Sequence, residues 1–166
     1  MLLGLSKIID CPGGVVPFET TLDLSQMDFG GCCPLHEPVH AKGSVRNTAG
    51  VLILTAEIDA VLDGVCDRCC KPFHRSFTLP LEAVLVTKLE SDQLDSPWVF
   101  ELVGDDADLD DIFTTAVVLN MDSKLLCKPD CKGLCPRCGK DLNEGSCDCK
   151  PERDPRLQVL EKLLKK

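Results

Sequence analysis

The sequence predicts an α+β fold: an antiparallel β-meander, barrel-like in its curvature, with one or two packed helices and a small cysteine-rich C-terminal module. Three observations carry this expectation. Several segments alternate apolar and polar residues with period two, the signature of strands buried on one face. One stretch near residues 108–120 instead repeats its apolar residues at helical spacing. Six of the twelve cysteines crowd into residues 127–149, where they are too closely spaced to be scattered core residues.

The elements follow in order. Residues 15–25 read as an opening strand, followed by a loop containing Gly30, Gly31 and Pro34. From Pro38 the alternation places Val39, Ala41, Gly43 and Val45 on one face, and a turn over Arg46–Gly50 leads into the clearest strand. There Leu52, Leu54, Ala56, Ile58, Ala60 and Leu62 point one way, while Thr55, Glu57, Asp59 and Asp63 point the other. A third strand carries Phe77, Leu79, Leu81, Ala83 and Leu85, so Cys66 and Cys69 fall in the connection, a knuckle at the end of a sheet with one buried face. Residues 90–97 form a polar, breaker-rich loop, and Trp98–Val103 resumes as a strand. Asp108 then caps a helix with acidic residues in its first turn and Leu109, Ile112, Phe113, Ala116 and Val117 on its inner face. The acidic run 105–111 lacks the ligand spacing of a calcium loop and reads as a solvated helix start. After the cysteine cluster, Asp154 and Pro155 open a closing helix bearing Leu157, Leu160, Leu163 and Leu164. The expected domains are a sheet domain over 1–126, a cysteine-rich zinc module over 127–150 and a C-terminal helix over 151–166.

Composition narrows the function. The formal charge is −9, and eight ligating thiolates with two zinc ions would make it about four charges more negative. A general electrostatic grip on phosphate is therefore excluded, so any nucleic-acid contact needs a local basic patch or a protein intermediary. Six Phe, one Trp and no Tyr argue against base-stacking platforms. The N-terminus has no basic lead or sustained apolar stretch, and no window approaches a membrane span, so the expected location is the cytoplasm. In that compartment thiols stay reduced, and clustered cysteines mean metal or redox chemistry before disulfides.

Four short-spaced pairs, 66/69, 127/131, 135/138 and 147/149, supply eight thiolates, enough for two closed Cys₄ zinc sites. Cys135-Pro-Arg-Cys138-Gly139 has the form of a metal knuckle, and Cys147-Asp-Cys149 is its nearest partner. This leaves Cys66 and Cys69 to share an ion with Cys127 and Cys131. Such a site would staple the sheet knuckle to the segment after the helix, and closing the 70–126 loop contributes about 4 kcal/mol in the loop-entropy picture. The alternative is a single site among Cys127, Cys131, Cys135 and Cys138. Cys11, Cys32, Cys33 and Cys70 have no paired spacing with a free partner and read as packed or exposed thiols. His36, His40 and His74 lack an evident Ser or Asp constellation, no phosphate-binding glycine loop occurs, and fully ligated zinc leaves no position for an activated water. No enzyme and no small-molecule substrate are expected.

With these motifs in view, the chain resembles the YceD family, the large ribosomal RNA subunit accumulation proteins. Cys66-Asp-Arg-Cys69-Cys70-Lys-Pro-Phe73 is similar to the family's C-x-R-C-x-x-P-F. The run Cys127-Lys-Pro-Asp-Cys131-Lys-Gly-Leu-Cys135-Pro-Arg-Cys138-Gly-Lys-Asp-Leu-Asn143 and the closing Asp154-Pro155-Arg-Leu helix also fit. The resemblance extends from about residue 15 to the end. It implies a role in 23S ribosomal RNA accumulation and large-subunit biogenesis, with no catalytic chemistry and with a large-subunit precursor or 23S RNA as partner. Two other classes fit the cysteines alone: a redox-switched zinc-thiolate chaperone and a rubredoxin-like Cys₄ iron electron carrier. Lys128, Lys132, Arg137, Lys140 and Lys150 surround the cysteine run, either as charge compensation or as an RNA-facing patch.

Overall fold

The computed structural model describes residues 1–88 and 96–149. Its centre is a five-stranded sheet in the order β2-β3-β4-β5-β6, formed by β2 (Val15–Leu22), β3 (Val39–Thr48), β4 (Val51–Val65), β5 (Pro72–Val86) and β6 (Val99–Glu101). A second, two-stranded sheet pairs β1 (Leu2–Gly4) with β7 (Asp106–Asp108), and the helices are α1 (Ser6–Ile9) and α2 (Leu109–Asn120). This is the α+β architecture expected, with the sheet's apolar face covered by the helices.

Strands β2 to β5 are antiparallel neighbours in sequence order. Of the inward residues read from the alternation, Val39, Ala41 and Val45 on β3, Leu52, Leu54, Ala56, Ile58, Ala60 and Leu62 on β4, and Leu81, Ala83 and Leu85 on β5 are buried, while Gly43, Phe77 and Leu79 are half-buried. Helix α2 closes that face with the five apolar residues foreseen for it, all buried, and Phe113 meets Phe18 of β2 with ring centroids 5.7 Å apart. Asp108 caps α2 by accepting from the Asp110 backbone N–H at 3.1 Å, and Asp110 and Asp111 sit in the first turn where the helix dipole favours them.

Four details differ from expectation, each for a local reason. The opening strand ends at Leu22 because Asp23 accepts from Ser25 N–H at 3.0 Å and turns the chain. The hairpin between β3 and β4 is tighter than Arg46–Gly50: only Ala49 and Gly50 lie outside the strands, and Asn47 Oδ1 accepts from Gly50 N–H at 2.8 Å. Strand β6 runs parallel to β5, so the meander is not antiparallel throughout; the connection over residues 87–98 is long enough to bring the chain back to the same end. The acidic run is split, Asp106 and Asp108 belonging to β7 and only Asp110 and Asp111 to the helix. The N-terminal residues, to which the sequence assigned no structure, form β1 and α1. Most of the 90–97 loop and the whole closing helix over 151–166 lie outside the described residues.

Asn47 is the buried polar residue that ties the N-terminal segment to the sheet. It sits on the inner face of β3 with 1% exposure and donates to the carbonyls of Ile8 (2.7 Å) and Ile9 (2.8 Å) at the end of α1. Its own backbone exchanges bonds with Gly13 and Gly14. Replacement by Ala leaves the half-buried Ile9 carbonyl and the Gly50 amide without this partner, while the Ile8 carbonyl keeps the Cys11 N–H at 3.1 Å, so Asn47→Ala is expected to cost about 1–3 kcal/mol in a denaturant melt, one group's unpaired penalty. A cost within about 0.5 kcal/mol would show that α1 is not held through this side chain.

Candidate metal centre

The β4–β5 hairpin ends in a knuckle. Val65 pairs with Pro72, and the turn beyond is closed by Cys66 N–H to Lys71 O (2.9 Å) and Cys70 N–H to Cys66 O (2.8 Å). This turn presents Cys66 and Cys69 on one side. Against it lies the segment that follows α2. Asp67 grips Leu125 twice, its backbone N–H to the Leu125 carbonyl at 2.8 Å and its carboxylate accepting the Leu125 N–H at 2.7 Å. Arg68 Nη1 donates to the Cys131 carbonyl at 2.8 Å. These polar contacts bring Cys127 and Cys131 to the knuckle, and Phe73, Leu126 and Leu134 pack around the sulfurs.

The result is a group of four thiols, Cys66, Cys69, Cys127 and Cys131, whose Sγ atoms all lie within 4.8 Å of one another. Cys66 and Cys131 are 3.7 Å apart, as are Cys69 and Cys127. A tetrahedral ion with metal–sulfur bonds near 2.3 Å requires edges of about 3.8 Å, so the donor set fits such an ion.

A second group repeats the design. Leu134 bridges to Asp141 and Leu142 N–H donates to Gly133 O at 2.9 Å, making a miniature hairpin. At its tip Cys135 N–H donates to Lys140 O (2.8 Å) and Gly139 N–H to Cys135 O (2.9 Å), the same two bonds as in the first knuckle. Cys135, Cys138, Cys147 and Cys149 again lie within 4.8 Å. The first group is the more enclosed: Cys66, Cys69 and Cys131 are buried, whereas Cys138 and Cys149 reach the surface.

The electrostatics of both groups would suit a cation. Burial pushes the Cys66 thiol up, but backbone N–H groups of Cys127, Cys69 and Arg68 outweigh it and bring it down to about 6. In the second group the backbone N–H groups of Cys138 and Arg137 bring Cys135 down to about 6. Their neighbours move the other way. Burial, then the surrounding thiols, push Cys127 up to about 12, and the adjoining Cys138 thiol, then burial, does the same to Cys149. One thiolate thus opposes ionisation of the next, and a central divalent cation reverses the sign of that coupling.

The remaining candidates sort plainly. Cys11, Cys32 and Cys70 are exposed and Cys33 is half-buried. His74, for which the sequence offered no acidic partner, pairs across the strands with Asp63 at 2.7 Å, and Glu37 stands close enough to make an exposed three-residue cluster. Of the basic residues, Lys140 is tied to the Ser146 carbonyl at 2.7 Å, Lys128 stands 4.0 Å from Asp130, and Lys150 lies outside the described residues. Sequence reasoning missed Asp67, which holds the segment after α2 to the first knuckle, and Arg68, Lys71, Asp141 and Asn143, which join the two groups; only their nearness to the cysteines hinted at them.

The two knuckles differ at one position. Gly139 has φ +70° and its counterpart Cys70 has φ +56°, a left-handed conformation that costs a residue with a side chain about 1–2 kcal/mol. Allowing for glycine's larger unfolded-state entropy, Cys70→Gly is expected to stabilise the protein by about 0.5–1 kcal/mol in a thermal or denaturant melt. A destabilised variant would mean that the Cys70 side chain makes a compensating contact.

The chain is similar to several known proteins. Uncharacterized proteins of Mycobacterium tuberculosis and Mycobacterium bovis are each 27% identical over 150 residues, covering 89% of this chain and 70% of theirs. A Zea mays protein described as large ribosomal RNA subunit accumulation protein YCED homolog 1, chloroplastic, is 27% identical over 170 residues, covering 84% of this chain and 57% of that protein. No solved structure matches. Residues 54–164, about two thirds of the chain and including every cysteine of both groups, match the family described as large ribosomal RNA subunit accumulation protein YceD. The chain therefore belongs to the YceD family.

Proposed function

We propose that this protein is a zinc-binding, non-catalytic factor that supports 23S ribosomal RNA accumulation and large-subunit biogenesis. The observation that carries the reading is that both four-cysteine groups fall within the stretch matching the family. Zinc suits the all-sulfur donor sets, which soft and borderline ions prefer, and their tetrahedral spacing. The residues holding it are Cys66, Cys69, Cys127 and Cys131 in one site, and Cys135, Cys138, Cys147 and Cys149 in the other. Each ion, when bound, supplies cross-linking and charge neutralisation. The chain's own groups fix the sulfurs, donate backbone N–H bonds to them and, around the buried first group, exclude water. Four protein ligands leave no position for a reactive water, so the role is structural. In this reading residues 1–126 form the body and 127–150 the zinc module, in a cytoplasmic protein.

The partner is a large-subunit precursor or 23S RNA, met directly or through another protein. The Zea mays relative's name supports this, as does the lysine-bearing surface around Lys128 and Lys132. Among the described residues no helix is long and apolar enough to cross a membrane.

Two measurements test the reading. Native mass spectrometry of anaerobically purified protein is expected to find two zinc ions per chain; one or none at full occupancy would overturn the two-site assignment, and a red protein would replace zinc with iron. Sedimentation of cell extracts is expected to place the protein with large-subunit precursors. Lys128→Glu with Lys132→Glu should weaken that association, lowering the salt slope by about one unit for each phosphate no longer bound, with zinc content unchanged. Absence of the wild-type protein from every precursor fraction would overturn the ribosomal role. Unchanged association of the double variant would move the binding surface elsewhere on the protein.

A further inference from the structure

The loop between the second group's ligand pairs reaches back onto the first group. Asn143 is its contact point. Its Oδ1 accepts the Lys132 backbone N–H at 2.9 Å, which orients the amide so that Nδ2 donates to Cys131 Sγ at 3.4 Å and to Asp141 Oδ1 at 2.8 Å. The first knuckle answers in kind. Lys71, two residues beyond Cys69, pairs with Asp141 at 2.8 Å and with Glu144, and it holds the nearly buried Asp141 carboxyl down to about 2. Leu134 N–H donates to the Arg68 carbonyl at 3.0 Å, and Gly133 passes so close that a Cβ there would stand 2.8 Å from that oxygen.

We propose that the two cysteine groups form one interlocked metal unit, in which Asn143 is an outer-shell hydrogen-bond donor to the first site and the second site's metal controls metal release from the first. The proposal rests on the reading that each group holds an ion. An amide N–H directed at a ligating sulfur stabilises its negative charge and fixes its orientation, and removing such a partner typically costs about 10–100-fold in metal affinity. Asn143 can stay in place only while its turn is closed. That turn spans residues 141–144, between Cys138 and Cys147, so the second ion holds both its ends. Opening the second site leaves that turn held only by the Leu134–Asp141 bridge and the Leu142 and Lys132 N–H bonds, which weakens the Asn143 bond and the Lys71 clamp together and loosens the cover over the buried Cys131. Cys138 and Cys149, at the surface, are where a chelator or oxidant reaches the unit first. Metal then leaves in order, second site before first.

The test uses the full-length chain loaded with cadmium-113, which gives one resonance per site. The resonance surviving in Cys147→Ser identifies the first site. In the wild type a scalar coupling between the first-site cadmium and the Asn143 side-chain amide protons is expected. On addition of EDTA, Asn143→Ala should shift the first-site resonance and release that ion about tenfold faster or more, and Cys147→Ser should also accelerate first-site release. Lys71→Met removes only the side-chain clamp, keeps the Lys71 backbone N–H on Cys69 and every hydrogen bond to Cys131, and should give a smaller acceleration; it serves if Asn143→Ala fails to fold. First-site release at the wild-type rate in Cys147→Ser and in Lys71→Met would overturn the interlock. Uptake of fewer than two ions by the wild type, read before any chelator is added, would overturn the two-site reading and the interlock with it.

Discussion

The register of the β4–β5 hairpin is the constraint on which most of this structure depends. From Leu52 opposite Leu85 to Val65 opposite Pro72 the two strands pair without a break. A slip of one residue would turn Leu52, Leu54, Ala56, Ile58, Ala60 and Leu62 away from the helices and strip the core of its central strand. The same register decides where the hairpin ends. Cys66 N–H closes on Lys71 O as the rung after Val65 and Pro72, so core packing at one end of the strands and thiol placement at the other are set together.

At the hairpin tip the governing interaction becomes electrostatic. Thiols held within 4.8 Å suppress one another's ionisation, while backbone N–H groups pull Cys66 and Cys135 toward thiolate. That conflict suits a site made for a cation. It also explains why polar side chains rather than apolar ones join the two groups. Arg68, Lys71, Asp141 and Asn143 each satisfy a backbone or charged group beside the sulfurs, where an unpaired polar atom would be costly. A chain that is acidic as a whole thus concentrates its cationic partners around its sulfur clusters.

Much of the fold was legible because its causes are local. Alternation along β3, β4 and β5 and the helical spacing of Leu109 to Val117 need only neighbours two, three or four residues apart. The short cysteine pairs were legible for a related reason: the bite of a chelated ion fits a tight turn, so each half-site is written in consecutive residues. Features that failed to announce themselves depend on distant partners. Strands β1 and β7 are three residues each and exist because they find one another across the chain. Strand β6 takes a parallel partner that no pattern within Val99–Glu101 encodes.

The sequence by itself determined the sheet's buried face, the capped helix α2, the turn that presents each cysteine pair and the membership of a family, since each of these is carried by residue type and short spacing. Only the tertiary structure decided which pairs share a space. Cys69 meets Cys127 across 58 positions, and spacing alone also allowed a single group among Cys127, Cys131, Cys135 and Cys138. The geometry excludes that grouping because Asp67 and Arg68 draw the segment after α2 onto the hairpin tip, leaving Cys135 and Cys138 to close with Cys147 and Cys149. The hydrogen bond from Asn143 to Cys131 was likewise beyond any local pattern, because a bond between two loops is written in neither loop and exists only once both have folded against each other.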